Sequence, residues 1–303
     1  MIIFIFLKID NINQINDKRL LYFNNQIVSM SFKLYIKKHS LTCFFILSYL
    51  LMIIPVIIRV FLPIAMPIIP FTIITIWSPT ISAIIVSGFI GGWAEIKKLL
   101  KGYSRWKVGI KWYIAGFLLM LGPLIFAGFY LLFGGPAPGP VPGLTLPIII
   151  IYIFQTLHSG PLSEEGGWRG FALPRLQTKY NAVISSLILG VIWACWHIPL
   201  YFVETRIPFY IFIFLVLVIS ILMTWGYNNT NGSLIVTIVF HFSFNFNGAF
   251  LTGYFGLLPT MVFYIAGGVM IGIYLIAVIY YAGPKKLSRK PDSEMPFIKP
   301  KVE

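Results

Sequence analysis

Acidic side chains are scarce in this chain of 303 residues, where nine Asp and Glu stand against 23 Lys and Arg. Between Lys97 and Lys290 only Glu164, Glu165 and Glu204 are acidic, so this long stretch lacks the interspersed charge that keeps the surface of a soluble domain in water. Cysteine is scarcer still. Cys43 and Cys195 both lie inside apolar runs, which argues against a disulfide framework or a thiolate zinc site and leaves them as packing residues. Charged residues make up 11% of the chain, while hydrophobic residues reach 58% and aromatics 17%. With a mean hydropathy of +0.87, that composition belongs to the polytopic membrane class. The net charge of +14 invites a nucleic-acid reading, but the basic residues gather in short stretches flanking apolar runs, as in cytoplasmic loops. The expected partner is therefore the lipid bilayer, with no nucleic acid.

A membrane span needs ~20 mainly apolar residues. Eight stretches qualify, at 41–63, 68–92, 110–134, 145–160, 181–202, 209–226, 233–252 and 258–281. The expected fold is all-α, a polytopic transmembrane helical bundle of about eight spans. Residues 1–40 read as an N-terminal extension ending in a juxtamembrane segment, 41–282 as the membrane domain, and 283–303 as a basic cytoplasmic tail. The apolar start at 1–7 is too short to span and lacks the marks of a signal peptide. We assign no function to residues 1–29. The flank with Lys33, Lys37 and Lys38, the loop from Lys97 to Lys111, the loop with Arg169, Arg175 and Lys179, and the tail are basic, whereas the Pro- and Gly-rich 135–144 loop and residues 253–257 carry no charge. Retention of Lys and Arg on the cytoplasmic side then predicts an integral, multi-pass protein with both termini cytoplasmic. The neutral connection at 227–233 is silent on this point.

Ionisable groups within or beside the hydrocarbon layer are expensive, and each is by default a functional-site hypothesis. Glu164 and Glu165 open a segment that reads as a helix start, with Ser163 as N-cap, the carboxylates in the first turn and Arg169 at i+4 from Glu165. Its bland reading is an amphipathic helix on the cytoplasmic surface. Arg169 needs only one carboxylate, however, and the second is left for chemistry. His197 ends the fifth span with Trp193 one turn before it, and His241 and Asn245 share a face of the seventh by i, i+4 spacing. Carboxylates, imidazoles and an amide in one apolar chain lower each other's cost by converging. His39 reads as a solvated flank, His158 as a cap of the fourth span beside the Ser159-Gly160-Pro161 turn, and Glu204 with Arg206 as a solvated pair at the outer interface.

Three elements in order, Glu164-Glu165-x-x-x-Arg169, an aromatic four residues before His197, and His241-x-x-x-Asn245, resemble the CPBP family of intramembrane endopeptidases, which unites CAAX prenyl proteases with bacteriocin-processing (ABI) proteins. The resemblance covers about residues 145–250, and departs from the simplest family pattern in having Trp193 where that pattern writes Phe. It implies an all-helical core with a cavity open to the cytoplasmic side and hydrolysis of a peptide bond near the membrane interface. By the same resemblance Glu164 and His197 activate the attacking water, His241 and Asn245 stabilise the oxyanion, and Glu165, Arg169 and Trp193 are supporting residues. The substrate class it implies is a peptide or a lipidated protein. Peptide hydrolysis asks independently for a base, donors aimed at the developing oxyanion and an acid for the leaving amine.

Two alternatives stay open at this level. Glu164, His197 and His241 are the two-His, one-carboxylate set that a divalent metal such as Zn takes, although the sequence has no His-Glu-x-x-His helix; a site without metal or other cofactor is favoured. A non-enzymatic membrane protein, either a bacteriocin-immunity factor or a transporter, would use the same buried polar groups for binding.

Overall fold

The computed structural model describes residues 30–61, 68–134, 145–203, 207–254 and 261–297, and every regular element among them is helical. A backbone in hydrocarbon has no water to satisfy its N–H and C=O groups, so each apolar segment closes its hydrogen bonds within itself. In chain order the helices are α1 (Ser40–Phe61), α2 (Ile68–Ile76), α3 (Ser78–Leu100), α4 (Ile110–Leu132), α5 (Leu146–His158), α6 (Pro161–Glu165), a π-helical turn (Gly166–Ala172), α7 (Leu173–Gln177), α8 (Ala182–Trp196), α9 (Phe209–Asn229), α10 (Leu234–Tyr254) and α11 (Met261–Ala282). Short 3-10 turns follow α3 at Lys101–Ser104 and α8 at Ile198–Phe202.

Six stretches among the described residues are long and apolar enough to cross a membrane: Ser40–Phe61, Ser78–Ser104, Ile110–Leu132, Leu146–Gln177, Ala182–Phe202 and Phe209–Asn229. Adding α10 and α11, of 21 and 22 residues, gives a helix for each of the eight expected spans. Two boundaries differ. The second span continues to Leu100 across a break at Gly91 and Gly92, where Gly92 takes a left-handed φ of 62° that only glycine adopts readily. The fourth does not stop at residue 160 but runs on through Gln177. Residues 1–29, the 135–144 loop, Glu204 and Arg206 lie outside the described residues, as do 255–257 of the uncharged loop.

Helix α8 packs on α9; α10 lies against both α4 and α9, and α11 covers the same pair. Helix α3 runs between α1 and the π turn. Large apolar side chains such as Ile114, Phe117, Leu118 and Leu121 of α4 point outward, as a lipid-facing surface requires. The interior is closed by aromatics, with Trp168 packed edge-on against both Phe44 and Trp196 at ring separations of 5.5 and 5.9 Å.

The basic connections meet on one face. Arg105 donates to the Asn231 carbonyl at 2.5 Å, and the Ala182 N–H donates to the Lys285 carbonyl at 2.8 Å. The connection between α9 and α10, silent in the sequence, sits among them. Residues 283–297 are more than a solvated basic tail: Asn228 and Asn229 donate to the carbonyls of Lys286 and Leu287 at 2.7 and 2.8 Å, and the Leu287 side chain is fully buried. Beneath this strap Gln177 and Asn228 exchange two amide hydrogen bonds of 3.0 and 2.7 Å, which joins the end of α7 to the end of α9.

Candidate active site

The acidic pair does not lie on the surface. Its helix begins at Pro161, two residues before the expected cap, and Ser163 turns its hydroxyl back to the Gly160 carbonyl at 3.2 Å. Pro at the first helical position has no N–H to leave unsatisfied. The sequence then widens into a π turn at Gly166–Ala172, an extra residue per turn of the kind often found at functional sites. Glycines allow it to press against α3 and the turn that follows it: a Cβ on Gly167 would lie 2.5 Å from the Pro79 carbonyl carbon, and one on Gly166 would lie 2.6 Å from the Thr80 hydroxyl and 2.5 Å from that of Tyr103. The bland reading of an amphipathic helix on the surface does not hold: Trp168 and Arg169 are both fully buried.

Glu164 and Glu165 face the interior with different partners. One oxygen of Glu164, Oε2, accepts the indole N–H of Trp193 at 2.6 Å and that of Trp168 at 3.3 Å. Glu165 Oε1 accepts from Arg169 Nη1 at 2.9 Å and from His241 Nδ1 at 2.9 Å. The Arg169 guanidinium also lies over the Trp193 ring, 4.3 Å from its centre. Ion pairs and hydrogen bonds of this kind offset the large cost of removing charges from water, which is otherwise several kcal/mol per ion.

The remaining oxygen of Glu164, Oε1, faces α10 across Gly160. A Cβ built on Gly160 would lie 3.2 Å from Glu164 Oε1, 3.3 Å from His241 Nε2 and 3.1 Å from Asn245 Nδ2. Two elements, α6 and α10, thus deliver a carboxylate oxygen, an imidazole nitrogen and an amide nitrogen to one point. Glu165 supplies only acceptors, so its bond with His241 assigns a proton to Nδ1 and leaves Nε2 as an acceptor in the neutral ring and a donor in the imidazolium. The spacing of His241 and Asn245 on one helical face carries both to this point, as the sequence anticipates.

His197 joins the group through Trp193. Its Nδ1 lies 2.8 Å from the Trp193 carbonyl, while the indole of the same tryptophan holds Glu164. Its ring packs edge-on against Trp196 and Phe212 at 4.8 and 4.9 Å. His158 stays apart, where its Nε2 accepts the indole N–H of Trp77 at 3.1 Å. Cys43 and Cys195 are free thiols. Two contributors are not visible as such in the motifs. Trp168 is a second donor to Glu164, legible only once the i, i+4 relation is applied to a tryptophan, and Gly160 reads from the sequence as a turn residue alone.

Fold and site together define a polytopic helical membrane protein with a buried centre of carboxylate, imidazole and amide groups. Residues 145–247 match the family described as Type II CAAX prenyl endopeptidase Rce1-like, the stretch that contains every residue of this centre. The chain is also 43% identical over 49 residues to CAAX prenyl protease 2 of Methanococcus maripaludis, a match covering 16% of this chain and 18% of that protein. The resemblance to the CAAX-protease family that the motifs carry is borne out over this stretch.

Proposed function

We propose that the chain is an intramembrane endopeptidase of the CAAX-protease type, hydrolysing a peptide bond in a prenylated or otherwise lipidated protein. The observation that carries this reading is the convergence of Glu164 Oε1, His241 Nε2 and Asn245 Nδ2 beside Gly160, within the stretch that matches the endopeptidase family. Glu164 takes the proton of the attacking water. Its other oxygen is held by the Trp193 and Trp168 indoles, which orients the carboxylate without occupying the oxygen that faces the reaction. In this reading His197, whose Nδ1 is held by the Trp193 carbonyl, assists Glu164 in activating the water. Asn245 Nδ2 and a protonated His241 Nε2 donate to the tetrahedral oxyanion, and the leaving amine recovers the proton that Glu164 took from the water. With both termini on the cytoplasmic side, the basic face is the cytoplasmic one.

The site works without a metal in this reading. The test is cleavage of an internally quenched farnesylated CAAX-type peptide by purified protein in vesicles. Wild type is expected to cleave it and Glu164→Gln to lose at least about 100-fold in rate, as for removal of a general base, with chelator leaving wild-type activity unchanged. Inhibition by chelator that zinc restores would transfer Glu164, His197 and His241 to metal ligation. Full function of Glu164→Gln would sink the peptidase reading itself.

A further inference from the structure

Every position that lines the reaction centre with a side chain has a chemical task, and one position lines it by having none. Gly160 is buried between α5 and α6, and its φ of 177° is extended, so no left-handed backbone conformation demands a glycine there. Space does. A Cβ at this position would meet, as its three nearest heavy atoms, Asn245 Nδ2 at 3.1 Å, Glu164 Oε1 at 3.2 Å and His241 Nε2 at 3.3 Å. Contacts this short crowd polar atoms with a methyl group that satisfies none of them.

We propose that the volume opposite the Gly160 Cα is the seat of the attacking water and of the carbonyl it meets, and that Gly160 is a positioning residue that keeps this volume open. The inference rests on the endopeptidase reading and deepens it. A water placed slightly farther from the backbone than the missing Cβ comes within hydrogen-bond reach of Glu164 Oε1, which takes its proton, and of His241 Nε2 and Asn245 Nδ2, which face the oxygen. The carbonyl carbon gains the water oxygen, the carbonyl π pair moves onto the oxyanion and the water proton passes to Glu164; as the oxyanion pair returns to the carbonyl, the C–N bond breaks, its pair leaves on the nitrogen, and Glu164 gives that nitrogen the proton. A methyl group at residue 160 crowds the place of the water, so the chemical step is what it removes.

The experiment compares wild type, Gly160→Ala, Gly160→Ser, Ser159→Ala and Glu164→Gln in vesicles, using the quenched farnesylated peptide for turnover and a non-hydrolysable analogue of it for binding. Gly160→Ala is expected to lose about 100-fold in kcat, the cost of misplacing reacting groups by roughly an ångström, with analogue binding and thermal unfolding within twofold and a few degrees of wild type. Ser159→Ala, at an exposed neighbour in the same turn, is expected to match wild type. Gly160→Ser places a hydroxyl where the three polar atoms can hold it, and is expected to accumulate as a folded, inactive protein. If Gly160→Ala or Gly160→Ser cleaves at the wild-type rate while Glu164→Gln is dead, the positioning role fails and the peptidase reading survives. If Glu164→Gln is active, the peptidase reading fails first. Should neither Gly160 variant accumulate while Ser159→Ala does, the glycine belongs to the turn and the proposal is overturned.

Discussion

Glu165 and Arg169 are fully buried, and their ion pair of 2.9 Å leaves either charge uncompensated when the other is substituted. Arg169→Met strands a carboxylate that keeps only the His241 bond. Removing one partner of a buried pair costs about 3–5 kcal/mol, so this variant is expected to unfold at markedly lower temperature in detergent. The double variant Glu165→Gln/Arg169→Met, which strands no charge, is expected to recover part of the loss. Trp193 makes a different case. Trp193→Phe retains an aromatic ring, as the simplest family pattern has, but removes the 2.6 Å donor to Glu164; a bond to a charged group contributes about 1.5–3 kcal/mol. The expected outcome is a reduced turnover of the quenched farnesylated peptide with little change in thermal unfolding. An unchanged turnover would show that the Trp168 donor suffices alone.

At the scale of elements, the motifs were legible because i, i+4 spacing is a property of any helix: His241 with Asn245 and Glu165 with Arg169 needed only that geometry. The π turn was not. A helix widens there because Gly166 and Gly167 let α3 come closer than any side chain permits, and that proximity is set by Pro79 and Tyr103, more than sixty residues upstream in sequence. A pattern confined to one segment leaves room for an amphipathic surface helix for the same reason. Gly167→Ala tests the packing directly. With Pro79 backbone atoms 2.5 Å from the new Cβ, the helices must part; overpacking of this kind costs about 1–3 kcal/mol. Thermal unfolding is expected to fall accordingly, and Gly272→Ala, which meets nothing within 4 Å, is expected to leave it unchanged.

For the molecule as a whole, apolar run lengths and loop charge announced the bundle, since hydrocarbon permits a spanning segment little besides a helix. They could not announce the strap. The bonds from Asn228 and Asn229 to the backbone of residues 286 and 287 reach carbonyls, which every residue possesses, so no residue type at 286 or 287 marks them. Asn228→Ala removes the donor to Lys286 and the pairing with Gln177 together, leaving buried groups unsatisfied at about 1–3 kcal/mol. Thermal unfolding is expected to report this loss, and protease nicking of residues 283–297 is expected to quicken. The strap also orders events during synthesis. Asn228 waits for a carbonyl 58 positions farther along the chain, so a nascent chain that has already made Glu164, His197, His241 and Asn245 still lacks the contacts that fasten the ends of α8 and α9 from outside. The residues of the candidate site are all translated before their enclosure is complete, and this face is fastened after them.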